Sequence, residues 1–301
     1  MLSLHTNAAA LSAQNSISRT QMSLSTSQTR LSTGFRVNSA MDDAAGLQIA
    51  TRLKAQTSGM SMAMRNTQNS ISMLQTAEGA FDEVTTMLTR MKDLATQAAD
   101  VSSTAKDQAA LQSEFDALGS ELNNVMKNTT FGGAKLMDGG TIASSMTFQI
   151  GATKSETMAV DLSAAVTAAV AGLTSVTARY AAGGAAVGAE ISDGSDGTAV
   201  GATNTAGQTA ANSSIDTIST AIDLIGGVRS SLGAAANRLD HVYNNLSNIS
   251  TNTKAATGRI MDTDFASESS NMTSSQMLLQ AGTAMLKQSN STSSLVMSLL
   301  Q

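Results

Sequence analysis

The chain has 301 residues, a net charge of −5, and no proline, cysteine or tryptophan. Without cysteine there is no disulfide, thiolate nucleophile or Cys-based metal site, and two histidines alone cannot close a tetrahedral metal centre. An acidic chain with only 14 % charged residues is a poor match for nucleic acid, which calls for clustered Lys and Arg.

The chain begins Met1-Leu2-Ser3-Leu4-His5, with neither the basic region nor the apolar core of a signal peptide. No run of 18 apolar residues offers a membrane span, so the expectation is a protein that stays in the cytoplasm or leaves by another route. Near the start, Ala10, Ile17, Leu24 and Leu31 lie seven apart and form a thin coiled-coil seam, with Leu4 and Leu11 beside it. Asp42-Asp43 before Ala44-Ala45 reads as helix-start acids that satisfy free amides rather than as an acid–base pair.

From Met60 a helical period runs through Met64, Ile71, Leu74, Ala77, Phe81, Val84, Leu88, Met91, Ala95 and Ala98. About 40 helical residues at a 1.5 Å rise span ~60 Å, and with no proline to break them a rod is expected. Leu111, Phe115, Leu118, Leu122 and Val125 repeat the period, and the small residues through Gly132-Gly133 read as its stop. Met146, Phe148 and Ile150 alternate with polar residues, as do Met158, Val160 and Leu162, which predicts a β-hairpin. From about Ala178 to Gly207 the chain is Ala, Gly, Ser and Thr, and reads as an exposed insertion; its 193–197 stretch is a turn lacking the ligand set of a calcium loop. Ile215, Ile218, Ile222, Ile225, Leu232, Leu239, Val242, Leu246 and Ile249 predict a third long helix with Gly226-Gly227 as its weak point. Leu278, Met285, Thr292 and Leu299 again lie seven apart, with Leu295 beside them.

Ordering each ~40-residue end costs roughly 40 to 80 kcal/mol of backbone entropy, whereas six large side chains at the first end return about 9 to 18. Both ends are therefore expected to become helical only when packed with other copies of the chain. The 18 methionines are mostly gap fillers on helix faces, or a soft seam that lets subunits slide between registers.

The stretch Thr29 to Ala50, TRLSTGFRVNSAMDDAAGLQIA, resembles the signature segment of bacterial flagellins. LHTNAAALSAQN from Leu4, NTQNSISMLQTAEGAF from Asn66, LGAAANR from Leu232, RIMDTDFA from Arg259 and the end from Glu268 to Gln301 resemble the same family. The resemblance implies a mainly α fold: an elongated helical bundle with coiled-coil terminal helices, one β-hairpin and a small irregular or β insertion. It implies a division into terminal filament-core helices at 1–42 and 260–301, a helical shell at 43–175 and 208–259, and a surface-exposed insertion at 176–207.

The function so implied is that of a secreted subunit that polymerises into the extracellular flagellar filament for swimming, with no cofactor and no enzymatic activity. Its implied partners are itself, an export chaperone, cap and hook-associated proteins and innate immune receptors, with no nucleic acid and no membrane insertion. By resemblance, the polymer seams hold Leu4, Leu11, Ile17, Leu24, Leu31, Leu278, Met285, Leu295 and Leu299. Arg90, Leu94, Gln97 and Glu114 match the animal-receptor contact, where Arg90 and Leu94, four apart, would present a charge and an apolar anchor together. Ser39, Asp43 and Gly46 match the plant-receptor segment, from whose commonest residues Phe35, Val37 and Met41 depart. Leu295, Val296, Leu299 and Leu300 match the chaperone-binding stretch. Two alternatives remain: a hook-filament junction protein, which would not grow long filaments, and a chemoreceptor-type signalling hairpin, which the predicted β-hairpin disfavours.

Overall fold

The computed structural model describes residues 7–181, 190–192 and 205–299. They form α1 (Ala8–Thr33), α2 (Ala44–Ala98), α3 (Ala105–Asn128), β1 (Thr130–Phe131), β2 (Ala134–Lys135), a 3-10 turn (Thr141–Ala143), β3 (Ser145–Gln149), β4 (Thr157–Asp161), α4 (Ser163–Ala181), α5 (Thr205–Met261) and α6 (Phe265–Leu299). The fold is mainly α. The chain divides into two compact units, a terminal one of Met1–Ser58 with Ile249–Gln301 and a central one of Gly59–Asn248.

In the central unit each helix buries a stripe at spacings of three and four. On α2 the stripe runs through Leu74, Ala77, Phe81, Val84, Leu88, Met91 and Ala95, and on α5 through Ile218, Ala221, Ile225, Val228, Leu232 and Leu239. Phe81 and Phe115 are both fully buried, and Leu, Met and Ala fill most of the space around them. Gly226-Gly227 does not interrupt α5: the adjoining Ile225 and Val228 are fully buried, and their packing outweighs the ~0.5 to 1 kcal/mol that each glycine costs a helix. Arg229 on α5 binds Glu78 and Asp82 on α2, each at 2.9 Å, and the bond to Glu78 is the main reason its pKa is raised.

β3 and β4 pair antiparallel with Phe148 opposite Met158, and Met146, Phe148, Met158 and Val160 all turn inward. The hairpin loop rests on α2, where a Cβ on Gly59 would come within 2.6 Å of the Ala152 Cβ. Gly59 therefore forms the notch that seats the loop.

α3 stops at Asn128 as expected, and the chain beyond it forms a second, minimal hairpin, β1–β2, whose two turn residues Gly132 and Gly133 take φ of +58° and +86°, values open to glycine. Two expectations are corrected here. An unpredicted helix, α4, buries Val166, Ala169, Leu173 and Val176 and occupies the start of the supposed insertion. Residues 190–192, placed in that exposed insertion, are instead anchored. Ile191 is fully buried, its N–H donates to Gln112 Oε1 at 2.8 Å, and Ser214 Oγ donates to the Glu190 carbonyl at 2.6 Å. The 193–197 turn lies outside the described residues.

α3 starts on a reciprocal cap: Thr104 Oγ1 accepts from the Asp107 N–H, and Asp107 accepts from the Thr104 N–H at 3.0 Å and the Thr104 hydroxyl at 2.7 Å. The hydroxyl bond, then the backbone bond, holds the Asp107 carboxyl below its ordinary value of 3.8. A lowered carboxyl pKa contributes stability that is present above the unfolded value and is lost as pH falls through the folded one. Thr104→Ala should cost about 1 kcal/mol at neutral pH, and that penalty should shrink once the pH drops below the carboxyl range. Phe115→Ala should cost about 3 to 5 kcal/mol at any pH. Urea unfolding of both variants across pH checks the contrast.

Candidate functional site

The terminal unit is built on an antiparallel pair, α1 against α6. Asn7 Nδ2 donates to Ser289 Oγ at 3.2 Å near one end, and Arg30 lies 3.7 Å from Glu268 near the other. On α1 the buried or partly buried positions along the seam are Ala10, Ala13, Ile17, Thr20, Leu24, Ser27 and Leu31, with Arg30 beside them; on α6 they are Glu268, Met272, Ser275, Leu279, Gly282, Leu286 and Ser289. Both series alternate steps of three and four, the spacing of a coiled-coil seam. Gly282 lets the helices close together, since a Cβ there would lie 2.8 Å from Ile17 Cγ1. Leu278 and Met285 are displaced one residue from this face and are 62 % and 69 % exposed, so they do not pack on α1.

The seam supplies little burial. Among the described residues of the two helices only Ser27 and Glu268 are buried, and neither is apolar. Leu11, Met22 and Met277 stand out at 66 %, 62 % and 59 % exposure. The helices carry four charges between them, Arg19 and Arg30 on α1 and Glu268 and Lys287 on α6. Leu295, Val296 and Leu299 lie on α6, whose last turns are described by backbone alone, and Leu4 and Leu300 lie outside the described residues.

Between α1 and α2 the chain turns through residues 34–43. Gly34, at φ +75°, ends α1 in the left-handed conformation and donates its N–H to the Arg30 carbonyl. The loop is then pinned to the α5–α6 junction: Arg36 N donates to Met261 O at 2.6 Å, Thr263 N to Gly34 O at 3.0 Å, and Arg36 Nη2 to Ile260 O at 3.0 Å. Val37 is buried beneath it, whereas Ser39 is exposed and Met41 is 97 % exposed. Asp42 Oδ2 accepts from the Ser39 and Asn38 N–H groups, in that order the main causes of its lowered pKa. Asp43 Oδ1 accepts from the Gly46 N–H at 2.8 Å and caps α2. Of the two predicted helix-start acids, one caps the helix and the other folds back on the loop.

The animal-receptor positions lie in the central unit. Arg90 and Glu114 are exposed and paired, with Arg90 Nη2 donating to Glu114 Oε1 at 2.6 Å, and Gln97 is exposed. Leu94 is 1 % exposed and belongs to the core. The expectation that Arg90 and Leu94 are offered together on one face is thereby corrected: Leu94 continues the α2 stripe that runs through Leu88, Met91 and Ala95. Among the described residues no three His, Cys, Asp or Glu side chains gather as metal ligands, and no helix is long and apolar enough to cross a membrane.

Long helices around one Phe, Leu and Met core, joined to a terminal helical pair with exposed apolar side chains, define a mainly α protein. Residues 4–141 match the model of the bacterial flagellin N-terminal helical region, and residues 215–300 that of the C-terminal helical region. The chain is 34 % identical to flagellin A of Vibrio anguillarum over 390 residues, covering 100 % of both chains. It is 37 % identical to a flagellin of Halalkalibacterium halodurans over 272 residues, covering 90 % of each. A putative flagellar hook-associated protein from Vibrio parahaemolyticus shares the fold at a TM-score of 0.56 and 15 % identity, over 73 % of this chain and 100 % of that one. The chain belongs to the bacterial flagellins and is a flagellin-type filament subunit, a structural protein whose homologues form extracellular flagellar filaments.

A Cβ on Gly46 would sit 2.3 Å from Asp43 Oδ2, so a side chain at 46 and the Asp43 cap exclude each other. Asp43→Ala and Gly46→Val should each cost about 1 kcal/mol in the first turn of α2, and the double variant scarcely more than either. Amide exchange over the first turn of α2 reads this; additive penalties would refute the shared origin.

Proposed function

We propose that this chain polymerises through its terminal helices into the filament that a rotary motor turns for swimming, and that residues 1–42 and 260–301 form the filament core. The observation that carries this reading is the α1–α6 pair: two long helices between which, among the described residues, no apolar side chain is buried. Helices of that length draw most of their stability from packing, and here sister copies are the source of it. The residues at 43–175 and 208–259 then form the shell around the core, and the insertion faces solvent apart from its anchored 190–192 stretch.

On the same reading the chain leaves the cell unfolded through the flagellar export channel. A chaperone covers Leu295, Val296, Leu299 and Leu300 beforehand, and cap and hook-associated proteins bound the filament. Shielding an apolar helix end before assembly gives the chaperone its physical task. Leu278→Ser with Met285→Ser should leave the unfolding free energy of the central unit, read in urea, unchanged within about 0.5 kcal/mol but stop growth on filament seeds seen by electron microscopy. Amides of α1 and α6 should exchange fast in the free chain and slowly in filaments. Strong protection of both helices in the dilute free chain would refute the reading, and growth that halts at short ends would favour a hook-filament junction role.

Animal immune recognition is proposed through Arg90, Gln97 and Glu114, and plant recognition through the loop that carries Ser39, with Asp43 and Gly46 shaping the helix start behind it. Burial assigns Leu94 a different part, that of supporting the α2 surface from beneath. Leu94→Ala should therefore lower stability by about 2 to 5 kcal/mol, whereas Arg90→Ala, at an exposed pair, should change it by less than about 1. Receptor-cell signalling measured beside unfolding should fall for Arg90→Ala without any loss of fold.

A further inference from the structure

Exposed methionines are not confined to one unit, since Met62 of the central unit is 50 % exposed, but three on the terminal helices stand out further. In the central unit Met87, Met91, Met126 and Met137 are buried, whereas on the terminal helices Met22, Met277 and Met285 are 62 %, 59 % and 69 % exposed. All three lie off the seam: Met22 is five residues beyond Ile17 and Met277 two beyond Ser275, positions on the far side of each helix, and Met285 sits beside Leu286. Three threonine hydroxyls near that surface are engaged by their own backbone. Thr20 donates to the Ser16 carbonyl at 2.9 Å, Thr26 to the Met22 carbonyl at 3.0 Å and Thr273 to the Ser269 carbonyl at 2.9 Å.

We propose that Met22, Met277 and Met285 are peroxide-sensitive modification sites, where oxidation to the sulfoxide blocks addition of the chain to a growing polymer and where assembly shields the same sulfurs. The inference rests on the filament reading above. In the reaction the thioether sulfur takes one oxygen from hydrogen peroxide. The O–O bond breaks, an S–O bond forms, sulfur loses two electrons and the peroxide leaves as water. The new oxygen is a strong acceptor on a surface that assembly must dry, so its burial is unfavourable wherever the incoming copy brings no donor to it. Oxidation thus converts the exposed face of α1 and α6 from one that sheds water into one that holds it.

The test treats the full chain with hydrogen peroxide, maps sulfoxides by peptide mass spectrometry and follows growth on untreated seeds. Met22, Met277 and Met285, together with the loop residue Met41, should oxidise before Met87, Met91, Met126 and Met137. Growth should fall roughly tenfold or more, the effect of losing about one apolar side-chain contact per added subunit. Methionine sulfoxide reductase with a thiol reductant should restore it, and finished filaments should resist labelling at the three sites. The M22L/M277L/M285L chain, close to volume-conserving, should keep growing after peroxide.

Undiminished growth of the oxidised natural chain overturns the proposal, as does equal loss in the Leu variant, which would place the effect at another exposed methionine such as Met41 or Met62. If the Leu variant does not grow even untreated, recovery by the reductase decides, and no recovery overturns the proposal. If the untreated natural chain does not grow on seeds, the filament reading itself fails and takes this inference with it.

Discussion

The seam between α1 and α6 sets the terms for the terminal unit. Its inward positions alternate large residues, Ile17, Leu24, Leu31, Met272, Leu279 and Leu286, with Ala10, Thr20, Ser27, Ser275, Gly282 and Ser289. Small partners let the two backbones approach, as Gly282 does beneath Ile17, but they also leave little apolar area to remove from water. The polar contacts near the two ends, Asn7 with Ser289 and Arg30 with Glu268, fix direction and register rather than adding much stability. Such a seam specifies a pairing more firmly than it sustains one.

The central unit has the opposite character. Phe81, Phe115, Leu88, Met91 and Ile218 are fully buried in one continuous core, and Arg229 ties α5 to α2 through two carboxylates. Ile191 closes that core from a segment remote in sequence, held by Gln112 and by Ser214. A unit with its own core keeps its fold while other parts of the chain change partners. That is a physical requirement for a subunit that must exist first alone and then inside a polymer.

The long helices were legible because each keeps one apolar stripe for many turns, and the β3–β4 hairpin because Met146, Phe148, Met158 and Val160 hold a strict alternation. Misses came where the pattern is short or doubled. Val166, Ala169, Leu173 and Val176 obey a helical period in an alanine-rich stretch that itself favours helix, so α4 was readable but overshadowed by the Gly- and Ser-rich chain that follows it. On α6, Met277-Leu278-Leu279 and Met285-Leu286 are adjacent apolar residues, so two faces fit a seven-residue repeat equally well, and only packing against Ile17 selects Leu279 and Leu286. Leu94 follows Met91 by three and precedes Ala98 by four, so its burial was readable in the stripe itself; reading it as a surface anchor gave the resemblance priority over the period. The place of Ile191 could not be read locally, because it depends on Gln112 and Ser214, which are distant in the chain.

On the proposed reading α1 and α6 meet many copies of themselves, and such a surface faces two hazards: like-charge repulsion if it is charged, and indiscriminate collapse if it is greasy. α1 and α6 avoid the first by carrying only Arg19, Arg30, Glu268 and Lys287. They moderate the second with hydroxyl residues whose polar groups are already engaged. Thr20, Thr26, Thr29 and Thr33 each donate to the carbonyl four residues earlier, which turns part of a threonine-rich helix surface over to methyl groups without adding a large side chain. Back-bonding of this kind slightly weakens an isolated helix, and among the described residues the same helices fully bury no apolar side chain on their own. Both properties act in one direction: the isolated pair is kept marginal, and most of what would stabilise it is left for the next subunit to supply.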